Sequence, residues 1–148
     1  MPAIKKTKLV PYSQEQMYEL VNDVKKYREF VPFCSDSQIL SQTDEEIKAS
    51  LTLARGGLSK SFTTLNRLQP HKMIEIRLVD GPFRQLEGFW LFEALSPSET
   101  RVVLDLDFEF SSRLIAMLFG PLFEQIASML VDAFCQRAAV VYGSRNLS

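Results

Sequence analysis

One histidine, two cysteines and a short run of carboxylates hold most of what this chain offers to acid–base or covalent chemistry. His71 falls in Pro70-His71-Lys72, a turn signal. No HxH, HExxH or Cys/His spacing accompanies it that would build a metal site. It reads as a solvent-exposed turn residue, badly placed to act as base for a serine or cysteine nucleophile. Cys34 and Cys135 are too few for a disulfide framework and lack CxxC spacing, so they read as reduced, buried small hydrophobes. Asp105, Asp107 and Glu109 alternate with Leu104, Leu106 and Phe108, which puts the three carboxylates on one face of a strand. Alternate strand positions point in parallel about 7 Å apart, whereas a divalent ion wants convergent oxygens. The expectation is a solvated outer face, with Lys6 and Lys8 of the first strand as pairing partners. With no positioned acid, base or nucleophile, the chain does not read as an enzyme.

The basic residues come in small groups: Lys5, Lys6 and Lys8; Lys25, Lys26 and Arg28; Arg55 and Lys60 around Gly56-Gly57. The glycine pair is no phosphate loop, because GxxxxGK spacing and a following helix are both missing. A net charge of −1 gives no general attraction to DNA or to a membrane. Gathered on one side, the basic groups could contact an anionic head group or RNA phosphate.

The elements that would have to position a site follow from periodicity. Residues 4 to 10 read as a strand ended by Pro11. Ser13 and Gln16 form a capping box, and Met17, Leu20, Val21 and Val24 continue at helical spacing to near Lys26. From residue 36 to 110 the period changes to two. Breaks at Asp44-Glu45, Gly56-Gly57, Pro70-His71, Gly81-Pro82 and Ser96-Pro97-Ser98 divide this region into about six strands joined by hairpins. The last third is helical, interrupted at Gly120-Pro121, with a short helix to Phe119 and a long one from Pro121 to about Tyr142.

This order predicts an α+β fold in which a curved antiparallel sheet of about seven strands surrounds a long C-terminal helix. Residues 1–148 form one domain, by length. Eleven Phe are many for such a chain. On the period-two reading Phe62, Leu78, Trp90, Phe92, Leu106, Phe108 and Phe110 point from the sheet toward the helix, as a core or as an apolar pocket. Gly88 removes a side chain from that face, leaving room for a bend, a backbone or a ligand. Phe89 and Leu91 point the other way, under the N-terminal helix or onto a contact surface. The N-terminal stretch MPAIKKTKLV has no apolar run behind its basic residues and does not read as a signal peptide. With no bilayer-spanning segment, a cytoplasmic location is the expectation.

Three long strings carry more information than any short motif: LVPYSQEQMYELVNDVKKYREFVPFC, LVDGPFRQLEGFWLF and DFEFSSRLIAMLFGPLFEQIASMLVDAFCQRAAVVY. Over about residues 4 to 142 the chain resembles the bacterial ribosome association toxin and mitochondrial coenzyme Q-binding protein family. That family belongs to the START-like, polyketide cyclase and lipid transport superfamily. The resemblance implies a helix-grip fold and a non-enzymatic protein. It implies an isoprenoid quinone such as ubiquinone, or a similar lipid, held between sheet and helix in support of respiration or quinone biosynthesis. Carried onto this sequence, the cavity falls to Phe62, Leu78, Trp90, Phe92, Leu106 and Phe108 of the sheet, and to Ile126, Met129, Ala133 and Phe134 of the helix. Loops at Gly56-Gly57 and Gly81-Pro82 would gate access. No cofactor is obligatory, and peripheral contact with a membrane is compatible with such a ligand. The alternative role implied is binding of the large ribosomal subunit to block subunit joining, within a toxin–antitoxin system; for such a role the basic groups, especially Lys25, Lys26, Arg28, Arg55 and Lys60, are the candidate residues.

Overall fold

The computed structural model describes residues 3–145. The chain begins with β1 (Ala3–Val10), α1 (Gln14–Asn22), a 3-10 turn (Val24–Lys26) and α2 (Tyr27–Phe30). Six strands follow in succession: β2 (Cys34–Gln42), β3 (Glu46–Arg55), β4 (Leu58–Gln69), β5 (Met73–Asp80), β6 (Phe83–Ser96) and β7 (Glu99–Phe110). Two helices complete the order, α3 (Arg113–Leu118) and α4 (Gly120–Tyr142).

All strand pairs are antiparallel, and the sheet runs β1-β7-β6-β5-β4-β3-β2. Every neighbour is a hairpin partner except β1, which pairs with the last strand from Ala3↔Asp107 to Val10↔Thr100. The predicted breaks fall between strands as expected, and the strand, helix, strands, helix order holds. The first helix is shorter than predicted. The Ser13–Gln16 capping box is complete, with both reciprocal hydrogen bonds made (3.1 and 2.9 Å), but Asp23 leaves helical geometry and ends α1 before Val24. The chain then tightens into the 3-10 turn and reaches α2.

Ser37 anchors this irregular segment. Its hydroxyl donates to the Lys25 carbonyl (3.1 Å) and accepts from the Arg28 amide (3.3 Å), and the residue is fully buried. As a result Val24 and Tyr27 pack against Ile47, Ala49 and Leu68 at the β2–β4 end of the sheet. The long helix covers the rest of the concave face. It is tied to α2 by Arg137–Glu29 (2.8 Å), to β1 by Lys8–Asp132 (3.0 Å), and to α1 by the Tyr142 hydroxyl donating to the Gln16 carbonyl (3.1 Å).

Gly88 has a backbone role rather than a ligand role. A Cβ there would lie 2.1 Å from the Asp105 carbonyl oxygen and 2.9 Å from the Leu106 Cα on β7. The glycine lets two long strands approach and coil around α4. The opposite-face pair does not pack under α1. Leu91 lies in register with Met73 on one side and Val103 on the other, and Phe89 lies between Glu75 and Asp105. They form a half-buried strip on the convex face.

Candidate ligand cavity

Three walls meet around an apolar cleft that encloses about 100 Å³ of free space. The sheet supplies the floor, including Leu51, Phe62, Ile76, Trp90 and Leu106. The long helix supplies Phe123, Ile126, Ala127, Leu130 and Phe134. The irregular segment after α1 supplies Tyr27 and Val31, with Val21 from α1 itself. Phe134 joins all three: its ring meets Trp90 edge-on at 5.2 Å, Tyr27 at 5.2 Å and Phe30 at 5.1 Å. The Tyr27 hydroxyl donates to the Val21 carbonyl, and burial pushes its pKa well above the usual phenol value. This phenol therefore stays neutral and serves to hold the wall together.

Of the ten predicted cavity positions, Phe62, Trp90, Leu106, Ile126 and Phe134 come together on the wall. The other five stand elsewhere. Phe92 is buried but turned toward α1, where its ring meets Tyr18 edge-on at 5.9 Å. Phe108 is fully buried in an aromatic cluster with Phe110 and Phe123 at the far end of the sheet. Leu78 packs at that end beside Gly81, in register with Thr64. Met129 is 39% exposed on the outer side of α4, and Ala133 is only half-buried. A stripe as wide as that of α4 fixes which residues are apolar but not which of them meets the cleft.

Two wall residues escaped the apolar pattern. Thr64 and Asn66 sit on β4 at the same parity as Phe62, so the run Phe62-Thr63-Thr64-Leu65-Asn66 already placed them on the inner face. The Thr64 hydroxyl donates to the Asn66 side-chain carbonyl at 2.9 Å. The contribution from after α1 was also missed, since it depends on where the first helix stops.

The residues weighed for chemistry are scattered. His71 departs from its expected exposure: it is half-buried in left-handed backbone (φ 68°), and its ring meets Tyr18 edge-on at 5.5 Å. Lys6 and Lys8 are not partners of the carboxylate row, because they lie opposite Leu104 and Val102. Lys5 faces Asp105, Arg84 pairs with Glu109 (3.1 Å), and Lys8 reaches Asp132 instead. Among the described residues no group of His, Cys, Asp or Glu is placed to hold a metal ion. Cys34 is buried and Cys135 half-buried, both as free thiols, and burial pushes each up to about 11.

Those thiols give a pH prediction. From the ordinary value of 9.0 up to about 11 the folded chain keeps protons that the unfolded chain releases. Stability should therefore fall as pH rises through that window. Alkylation of the folded protein at pH 8 should be slow relative to a free cysteine, and rapid after denaturation. Thiol labelling followed by intact mass checks both states; equally fast labelling of the folded chain would contradict the burial assignment.

A curved antiparallel sheet gripping one long helix over an apolar cleft defines a START-like helix-grip protein. The family described as polyketide cyclase / dehydrase and lipid transport matches residues 10–135, and this chain belongs to it. It is 47% identical over 145 residues to the ribosome association toxin RatA of Escherichia coli, covering 98% of this chain and 92% of that one. It is 31% identical over 141 residues to the mitochondrial coenzyme Q-binding protein coq10 of Schizosaccharomyces pombe, covering 90% and 85%. Among solved structures, the Zhui aromatase/cyclase of Streptomyces sp. R1128 aligns with a TM-score of 0.82 at 18% identity, over 97% of this chain and 99% of that one. That likeness concerns the fold. No helix among the described residues is long and apolar enough to cross a membrane.

Proposed function

We propose that this chain is a non-enzymatic binder of an isoprenoid quinone, ubiquinone or a close relative, held between the sheet and α4. The observation that carries the reading is the apolar, aromatic-walled cleft centred on Trp90 and Phe134. Similarity to a coenzyme Q-binding protein and membership of a lipid transport family support it. An apolar cavity of about 150 Å³ admits a single benzene-sized molecule, so about 100 Å³ suits part of a ring. The polyisoprenoid tail then needs α4 or the α2 segment to move, and each methylene-sized group it buries contributes about 0.8 kcal/mol. Exposed Leu114, Met117 and Leu118 on α3 provide an apolar surface for peripheral contact with the bilayer that holds such lipids.

Trp90 is the only tryptophan and lies on the wall, so it reports occupancy. Titration with a short-tailed ubiquinone should quench its fluorescence saturably, and Trp90→Phe should abolish the signal while binding persists by calorimetry. Linear, non-saturating quenching would contradict the reading.

A second reading has its own support in the 47% identity to a ribosome association toxin. It places the chain on the large ribosomal subunit through Lys25, Lys26, Arg28, Arg55 and Lys60. In the fold, Arg28 pairs with Asp36 (3.2 Å), Lys26 with Glu29 (3.5 Å), and Arg55 bonds Gln125 (2.6 Å) while covering Phe33. Overexpression should then reduce the 70S peak in sucrose gradients, and Lys25→Glu with Lys60→Glu should restore it. Unchanged profiles with the wild-type chain would exclude this role.

A further inference from the structure

The cleft is apolar except on β4. Among the described residues, beyond the aromatic side chains of Tyr27 and Trp90, only Thr64 and Asn66 bring polar side-chain atoms to its wall. Their neighbours in register are apolar. Ala49 and Leu78 flank Thr64, and Ile47 and Ile76 flank Asn66. Asn66 is half-buried, so a ligand that excludes water from its amide must supply the hydrogen bonds that water makes there.

The pair is satisfied on one side only. The Thr64 hydroxyl donates to Asn66 Oδ1, so the carbonyl end of the amide is occupied. The amide has two N–H donors at its other end, and no acceptor among the described residues takes either of them. Thr64 is nearly fully buried and holds the amide in one orientation. The result is an oriented hydrogen-bond donor, fixed to a rigid strand, on the wall of a cleft that otherwise selects only for apolar shape.

We infer that Asn66, positioned by Thr64, is the polar recognition element of the cleft: its amide N–H donates to a carbonyl oxygen of the bound apolar ligand. The inference rests on the ligand-binding reading above and narrows its chemistry. The cleft discriminates in favour of carbonyl-bearing rings and against pure hydrocarbons of the same size. A site built to donate a hydrogen bond rejects an analogue that lacks the acceptor, because the donor is then left unpaired.

The test compares two probes of matched tail length, a decyl-tailed benzoquinone and decylbenzene, by isothermal titration calorimetry. The wild-type chain should bind the quinone about five- to tenfold more tightly than the hydrocarbon, the range of one hydrogen bond. Asn66→Leu should bring the quinone down to the hydrocarbon's level and leave decylbenzene within about twofold. In the absence of ligand, that variant should stay folded and melt somewhat below the wild type, because the nearly fully buried Thr64 hydroxyl loses its acceptor. Asn66→Ala, which cannot obstruct the cleft, should show the same loss of discrimination. Equal binding of both probes by the wild type, or equal weakening of both by the variants, would overturn the inference and leave the binding reading standing. Wild-type protein that takes up neither probe would overturn both.

Discussion

Phe134→Ala should lower the unfolding free energy by about 3–5 kcal/mol, the range for emptying a fully buried aromatic site. The residue is 0% exposed and lies where sheet, α4 and the α2 segment meet. Truncation removes edge-on contacts to Trp90, Tyr27 and Phe30 together, and two of these rings are anchored against following the lost one. Trp90 is held by strand pairing to Ile74 and Leu104, and Tyr27 by its hydrogen bond to the Val21 carbonyl. The site therefore collapses only in part, from the α2 side, which keeps the cost within that range. For a chain of this length the melting temperature should drop by about 10 °C or more. Quinone affinity should fall as well, because the void joins the cleft and loosens its wall. Chemical denaturation with two probes, Trp90 fluorescence and far-UV circular dichroism, measures the change. A loss under about 1 kcal/mol would show that Phe134 is not the junction described.

Gly88→Ala should cost about 3 kcal/mol or more, although it adds a single methyl group. That methyl would stand 2.1 Å from the Asp105 carbonyl oxygen, and the atom it meets belongs to the backbone of a paired strand rather than to a movable side chain. Relief requires β6 and β7 to separate around Gly88↔Leu106, in the middle of the longest pairing in the sheet. Leu104, Leu106 and Trp90 all line the cleft from these two strands. The same change should therefore weaken ligand binding without touching a ligand. Urea unfolding would report the stability loss as a lower midpoint. A midpoint within error of the wild type would mean that the sheet is less tightly coiled than described.

The architecture was legible in the sequence because its signals are local. Strict alternation through Leu104–Phe110, turn residues at each strand break and the capping box at Ser13 each specify an element without reference to the rest. The site was legible only in part. Alternation gave the parity of Phe62, Trp90 and Leu106, but not how far along each strand the cleft extends. Phe92 and Phe108 share that parity yet lie beyond its two ends, against Tyr18 and Phe123 respectively. On α4, Ile126 faces the sheet while Met129, three residues on, faces outward, and the difference depends on the angle at which the helix crosses the sheet. His71 looked like a bare turn residue because Tyr18, which covers it, is distant in sequence. Asn66 was visible at the right parity but is polar. Apolar alternation does not single out Thr64 and Asn66, the polar residues on that wall.

On the proposed reading, the space between the sheet and α4 holds an apolar carbonyl ligand. The most direct measurement is organic extraction of the protein purified from its own host, followed by mass spectrometry of the extract. The expected result is an isoprenoid quinone in an amount approaching one per chain, and much less from Phe134→Ala prepared in parallel. Extracts free of quinone and of any other carbonyl-bearing lipid, from wild-type protein that is folded and monodisperse, would contradict it.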